Sequence, residues 1–210
     1  EALLYYQEQD PIKGIYIDFT HYDHQLNYSR TIDGYTYLKA QGMDLLYSMG
    51  PTERDMLRTY VEQDQMPVVG SQAREDSYNF PWIFNITTTQ MWQGEAPLAW
   101  IMETWDYAGK GRAPKIGHQG YPLNSTDQEQ LAIDKVLADP AYAGKFVWVG
   151  KDVAVMSNTA WSTSYQKFKD CDYVFISTTG NMIATFVSQM RDLGYKGAFV
   201  TNGDGFSGYF

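Results

Sequence analysis

Apolar positions along this chain alternate between a period of two and a period near 3.6, and the switches mark out successive strands and helices. Residues 1–9 read as a helix, ended by Asp10-Pro11 and Lys13-Gly14. Residues 15–19 (IYIDF) alternate and are rich in β-formers, which predicts a strand. A helix over 28–40 follows, with Ser29 as a cap and Ile32, Tyr35 and Leu38 on one face, closed by Gly42. A strand over 43–48 leads through a polar turn to a helix over 53–64, where Met56, Leu57, Tyr60 and Val61 form one stripe. Strands are predicted at 66–70 and 82–86.

The pattern then restarts. A helix over 91–107 carries Leu98, Ile101, Met102 and Trp105 at helical spacing, with Pro97 in an early turn. Strand 114–117, helix 126–138, an extended run over 146–156, helix 159–169, strand 173–177, helix 181–193 and strand 198–200 complete the series. Strands alternating with helices of this length predict parallel βαβ units with right-handed crossovers. The break near Thr87-Thr88-Thr89 divides them into two lobes, residues 1–89 and 90–210. The expected class is α/β, two lobes each with a parallel sheet flanked by helices. The first series opens on a helix where a strand is due, so a strand is expected upstream, and the chain ends just after a strand.

Loops rich in Gly, Ser and Thr follow the predicted strands at 43–48 and 66–70. In open parallel sheets that edge is where ligands sit. The 25 acidic against 16 basic residues give a net charge of −9, and no Lys/Arg cluster stands out, which argues against nucleic acid or an anionic membrane as partner. The single cysteine, Cys171, excludes an internal disulfide framework, and Asp170 and Asp172 beside it disfavour a nucleophilic thiolate. Gly-x-Ser-x-Gly, Cys-x-x-Cys, P-loop and Gly-x-Gly-x-x-Gly motifs are absent, and His118 has no nucleophile in a strained turn beside it, so catalysis and a cofactor are not expected. Asp18, His21, Asp23 and His24 gather possible metal ligands but offer two imidazoles and no evident supporting shell, so no metal is expected.

Several stretches carry a family resemblance. Leu46-Tyr47-Ser48-Met49-Gly50-Pro51-Thr52, Met66-Pro67-Val68-Val69-Gly70-Ser71, Phe80-Pro81-Trp82-Ile83-Phe84-Asn85 and the run from Phe186 to Tyr195 are similar to the type 1 periplasmic solute-binding proteins of ABC transporters, in the branched-chain amino acid branch. The resemblance implies a two-lobed Venus flytrap outside the cytoplasm, lipid-anchored or free, that closes on a small polar, amino-acid-like ligand and delivers it to a membrane permease. By position it implies ligand contacts at Pro51, Thr52, Ser71, Gln72 and Arg74 in the first lobe. In the second lobe it implies Tyr121, Thr178, Thr179 and the acidic Asp204. The chain departs from the family at Gln72-Ala73-Arg74, at Pro51 where a Ser is common, and at Thr178 and Thr179 where aromatics are common, which moves the implied ligand toward a bulkier or more acidic one.

The chemistry of these residues is independent of the resemblance. Helix-start loops supply N–H and hydroxyl donors for a carboxylate, Arg74 offers a bidentate clamp, and Asp204 could receive an ammonium. The same residues also admit plainer roles. Thr52 and Ser71 suit helix N-caps, Tyr121 an exposed loop, Asn202-Gly203-Asp204-Gly205 a turn, and Arg74 a surface pair with Glu75 or Asp76. A ligand-sensing receptor domain with the same fold, or an enzyme using Asp204, Tyr121 or His118 in acid–base work, are the other functions the sequence admits.

Overall fold

The computed structural model describes residues 5, 7–9, 12–25, 27–48, 50–71, 78–155, 157–177 and 181–201. They form two compact units, one of residues 1–70 with 79–84 and the other of residues 71–78 with 85–210. The first unit holds helix α1 (Thr31–Ala40), strand β1 (Leu46–Ser48), helix α2 (Pro51–Asp64) and strand β2 (Val68–Gly70), with β3 (Ile83–Asn85) completing a sheet of order β1-β2-β3. Strands β1 and β2 pair in parallel, Ser48 opposite Gly70. Tyr35, Leu57, Val61, Val68 and Ile83 close the core on the helical side. Asp64 links the two helices, accepting from the Tyr35 hydroxyl at 2.8 Å and pairing with Lys39.

Two expectations fail in this unit, and so does one of the plainer roles the sequence admits. Residues 15–19 form no ladder, and Ile15, Tyr16 and Phe19 lie exposed. A period-two pattern becomes a strand only where a neighbouring backbone offers hydrogen bonds, and none does among the described residues. The capping role of Ser29 falls instead to Asn27, whose side chain accepts from the Ser29 amide. Thr52 does not cap α2: Gly50 is the N-cap and Pro51 opens the helix, a position where the missing N–H costs nothing. Of the opening helix, Tyr5, Gln7 and Glu8 are helical, with the rest of 1–9 apart from Gln9 outside the described residues.

The second unit runs α3 (Gln90–Thr104), a short α4 (Tyr107–Lys110), β4 (Lys115–Gly120), α5 (Asn124–Ala138), β5 (Val147–Val153), α6 (Ser162–Phe168), β6 (Tyr173–Ser177), α7 (Asn181–Asp192) and β7 (Ala198–Thr201). Its sheet has the order β5-β4-β6-β7, parallel throughout. Helix α3 starts where the Thr89 hydroxyl accepts from the Trp92 amide at 3.1 Å. Pro97 sits in the helix interior rather than an early turn, so the Gln93 carbonyl loses its usual intrahelical donor.

Parallel strands bury both faces, and β4 and β6 read accordingly. Val174 and Ile176 face Trp161, Phe168, Phe186 and Met190 on one side. Ile116 and Phe175 face Leu98, Ile101, Ile133 and Val136 on the other. Gly117 is required by close packing, since a Cβ there would lie 2.5 Å from a Phe168 ring carbon. Asp172, just before β6, accepts two bonds from Arg112 at 2.6 and 2.8 Å and one from the Lys115 amide at 2.8 Å. Partial burial pushes its carboxyl up, but the Arg112 hydrogen bonds, the Lys115 amide and both positive charges outweigh that and hold it below the ordinary carboxylate range.

Two outcomes test this packing. Gly117→Ala is expected to destabilise the protein by about 1–3 kcal/mol in chemical denaturation, through overpacking against a buried ring. Because the Asp172 pKa is depressed on folding, its contribution is present above the ordinary carboxylate range and is lost as pH falls through its folded value. Asp172→Asn should therefore be less stable at neutral pH and should lose part of the wild-type acid sensitivity in a pH series of melting temperatures.

Candidate functional site

In each unit the carboxyl end of the parallel sheet is where helix starts, polar side chains and glycines converge. In the first unit β1 ends at Ser48, and α2 begins three residues later with Pro51 buried and Thr52 half-buried in its first turn. Among the described residues no side chain caps this helix start. Beneath it lies Arg54, 1% exposed, which donates from Nη1 to the Ser48 carbonyl at 2.6 Å. Burial pulls the Arg54 pKa down, while Glu53 and Asp55 favour its charge. Gly70, the last residue of β2, makes room for it, since a Cβ there would lie 2.0 Å from Nη1. Glu53 accepts from or pairs with His24 through Oε1 and Nε2 at 3.0 Å, leaving Oε2 beside Gly50. His24 is thus engaged with a carboxylate on α2. Neither Arg54 nor Glu53 is among the ligand contacts that the family resemblance implies. Ser71 follows β2 directly and is half-buried.

In the second unit β4 ends at Gly120, in register with Ser177 at the end of β6. Tyr121 follows at once. Its amide donates to Thr126 Oγ1 at 3.0 Å, and that hydroxyl in turn donates to the Ser177 carbonyl at 3.3 Å. One threonine therefore ties together the ends of two neighbouring strands. Gly120 permits this, because a Cβ there would lie 2.3 Å from Thr126 Cγ2. The Tyr121 ring is buried, 1% exposed, edge-on to Trp161 at 5.9 Å, and is not the exposed loop tyrosine the sequence also admitted. Burial pushes its hydroxyl up to about 12, and that oxygen has no hydrogen-bond partner among the described residues.

Behind Tyr121 lies a buried polar group in which His118 meets Glu129 and Ser177, neither of which the sequence singles out. His118, Glu129 and Ser177 are each at most 2% exposed. Ser177 Oγ hydrogen-bonds His118 Nε2 and lies 2.5 Å from Glu129 Oε2, while His118 Nδ1 is 3.0 Å from Gln130 Oε1. Burial drives the Glu129 carboxyl up to about 8, with Ser177 opposing, and brings His118 down to about 4, with Gln130 opposing. A local signal for Glu129 did exist. Thr126, Glu129, Ile133 and Val136 are spaced 3, 4 and 3 apart on one helical face, which places a carboxylate inside an apolar stripe.

Of the residues expected to touch ligand, Pro51, Thr52, Ser71 and Tyr121 thus stand at carboxyl strand ends or in the helix start that follows. Gln72, Arg74, Thr178, Thr179 and Asp204 lie outside the described residues. A cavity of about 550 Å³ in the second unit, lined by Trp92, Glu95, Met102, Lys135 and Tyr142, belongs to a different place. It meets the last turn of α5, which runs back from the β4 carboxyl end and so lies at the opposite edge of the sheet.

The chain's sequence matches the family model described as "Periplasmic binding protein" over residues 2–209. No curated protein sequence matches. Among solved structures, the solute-binding protein of an ABC transporter from R. palustris, in complex with benzoate, superposes with a TM-score of 0.79 at 13% identity, covering 99% of this chain and 57% of that one. A branched-chain amino acid ABC transporter protein from Thermus thermophilus with bound valine gives 0.76 at 15%, covering 95% and 51%. The branched-chain amino acid transporter substrate-binding protein of Streptococcus pneumoniae, in complex with isoleucine, gives 0.74 at 16%, covering 98% and 57%. The chain therefore spans a little over half the length of these structures, which share its fold. With the family model matching nearly end to end and two parallel α/β units presenting polar carboxyl edges, this chain belongs to the periplasmic binding protein family.

Proposed function

We propose that the chain is part of a solute-binding component of an ABC importer, outside the cytoplasm, that binds a small carboxylate-bearing solute and hands it to a membrane permease. It holds its solute without chemical change, whether free or lipid-anchored in the full-length protein. The observation that carries this reading is the helix start at Gly50-Pro51-Thr52, directly after a parallel strand, with no side-chain cap among the described residues and the Arg54 guanidinium beneath it. Such a start offers backbone N–H donors and a positive end to an anion. Thr52 and Ser71 would take the carboxylate on the first unit, joined by Gln72 and Arg74, with Pro51, which has no N–H to donate, packing against the solute. Tyr121, Thr178, Thr179 and Asp204 would close on the remainder from the second, Asp204 receiving an ammonium where the solute carries one.

The solutes named with the similar structures, valine, isoleucine and benzoate, all carry a carboxylate; the two amino acids add an ammonium and a branched alkyl chain, benzoate an aromatic ring. That common group is the part of the ligand the first-unit edge suits. The rest is read by the second unit, where Thr178 and Thr179 leave more room and polarity than aromatic residues would. Both an amino acid and an aromatic acid fit this division.

A thermal-shift screen of the full-length protein against amino acids, aromatic acids, small amides and polyamines tests the reading. A solute at about 100 times its dissociation constant adds roughly 2.7 kcal/mol to stability, so a carboxylate-bearing hit is expected and its amide analogue should fail. Equal shifts from the amide analogue, or no hit among carboxylates, would overturn the assignment. Gly70→Ala is expected to push the Arg54 guanidinium off the Ser48 carbonyl and weaken binding of that hit by about tenfold, about 1.4 kcal/mol in titration calorimetry.

A further inference from the structure

Hydrogen-bond accounting at the buried group behind Tyr121 fixes where its protons lie. The Gln130 amide nitrogen donates to Asp134 Oδ1 at 2.8 Å, so the amide oxygen is the atom that meets His118 Nδ1. Nδ1 must then carry a hydrogen. In a neutral ring Nε2 is bare and accepts, and the donor it faces is the Ser177 hydroxyl. That hydroxyl has one hydrogen. With it spent on His118, the 2.5 Å approach of Glu129 Oε2 to Ser177 Oγ requires a proton on the carboxyl, which donates to the serine oxygen. The other bookkeeping, an imidazolium and a carboxylate bridged by the same hydroxyl, contains the same number of protons but buries two charges 3.9 Å apart. Desolvation disfavours it for both partners.

Removing one proton breaks this arrangement whichever form is taken. Ser177 is left with a single hydrogen for two acceptors, so one of its two bonds must go. The loss falls at a structural joint. Ser177 ends β6, and its carbonyl accepts from Thr126, whose oxygen holds the Tyr121 amide at the end of β4.

We propose that Glu129, present as the neutral acid, shares its proton with Ser177 and His118 in a clamp that fixes the carboxyl ends of β4 and β6, which makes Glu129 a positioning residue for the solute-binding edge of the second unit. That edge rests on the function proposed above, but the proton and the clamp do not. The groups facing Glu129 leave it few alternatives. From β4 it meets His118, from β6 Ser177, and from α3 the close backbone approach at Gly94, where Glu95 is paired outward with Lys135 at 2.6 Å. Lys151 on β5 and Asp127 and Asp134 on α5 act on His118 at longer range. The upward displacement of the carboxyl to about 8 and the downward displacement of the imidazole to about 4 both agree with the neutral form. Raised on folding, the Glu129 pKa makes the clamp complete at low and neutral pH and opens it as pH rises through its folded value.

The test needs no ligand, so its failure is distinct from failure of the solute reading. Infrared spectra of the intact protein at pH 6 are expected to show the carbonyl stretch of a protonated carboxylic acid, absent in Glu129→Gln and lost from the wild type as pH rises past about 8. Exchange of the Tyr121 amide should match between wild type and Glu129→Gln at pH 6, since the neutral glutamine amide can still donate to Ser177. At pH 9 it should be about tenfold faster in the wild type, the ratio expected one unit above the titration midpoint. If the glutamine variant does not fold, Ser177→Ala replaces it and must shift the band by removing the bridging hydroxyl. Absence of the band at pH 6, or Tyr121 exchange that tracks the variant at every pH, would overturn the proposal.

Discussion

A parallel strand delivers its last polar groups to an edge where the sheet is still covered on both faces, and there the helix that follows must satisfy them. Much of this molecule is organised by that requirement. In the second unit Thr126, in the first turn of α5, serves the ends of β4 and β6 together, and the glycine at position 120 exists to let it approach. In the first unit Arg54, one turn into α2, reaches back to the Ser48 carbonyl through space that Gly70 leaves open. The two solutions differ chemically, a hydroxyl in one and a guanidinium in the other. Both place a hydrogen bond to a strand-end carbonyl where an omitted side chain makes room.

The difference has electrostatic consequences. The first unit's edge places a helix start over a buried guanidinium, with the carboxylates of Glu53 and Asp55 acting on that cation. The second unit's buried group is neutral overall, since burial discharges Glu129 and His118 rather than pairing them as ions.

Much of the architecture was legible from periodicity. Helices α1, α2, α3, α5 and α7 and the strands of the second sheet lie close to where apolar spacing puts them, because one covered face imposes that spacing locally. The run at 15–19 failed for the complementary reason: alternation describes a strand's side chains but does not supply its backbone partner. Pro97 lies deeper in its helix than the sequence places it, and Thr52 lies inside its helix rather than at the cap, since such positions depend on where the first turn is nucleated. For Thr52 that point is set by Gly50 and Pro51.

The sequence alone determined the alternation of elements, the parallel class and which loops follow strand ends, since these depend on local periods and turn residues. Tertiary structure decided which side chains meet. His118 and Ser177 are 59 residues apart, Ser177 and Glu129 are 48 apart, and nothing in either neighbourhood announces the other. Only the pairing of β4 with β6, and the packing of α5 across both, brings a histidine, a serine and a carboxyl out of water at one point. There the low dielectric, which no residue carries in its own identity, sets their charge.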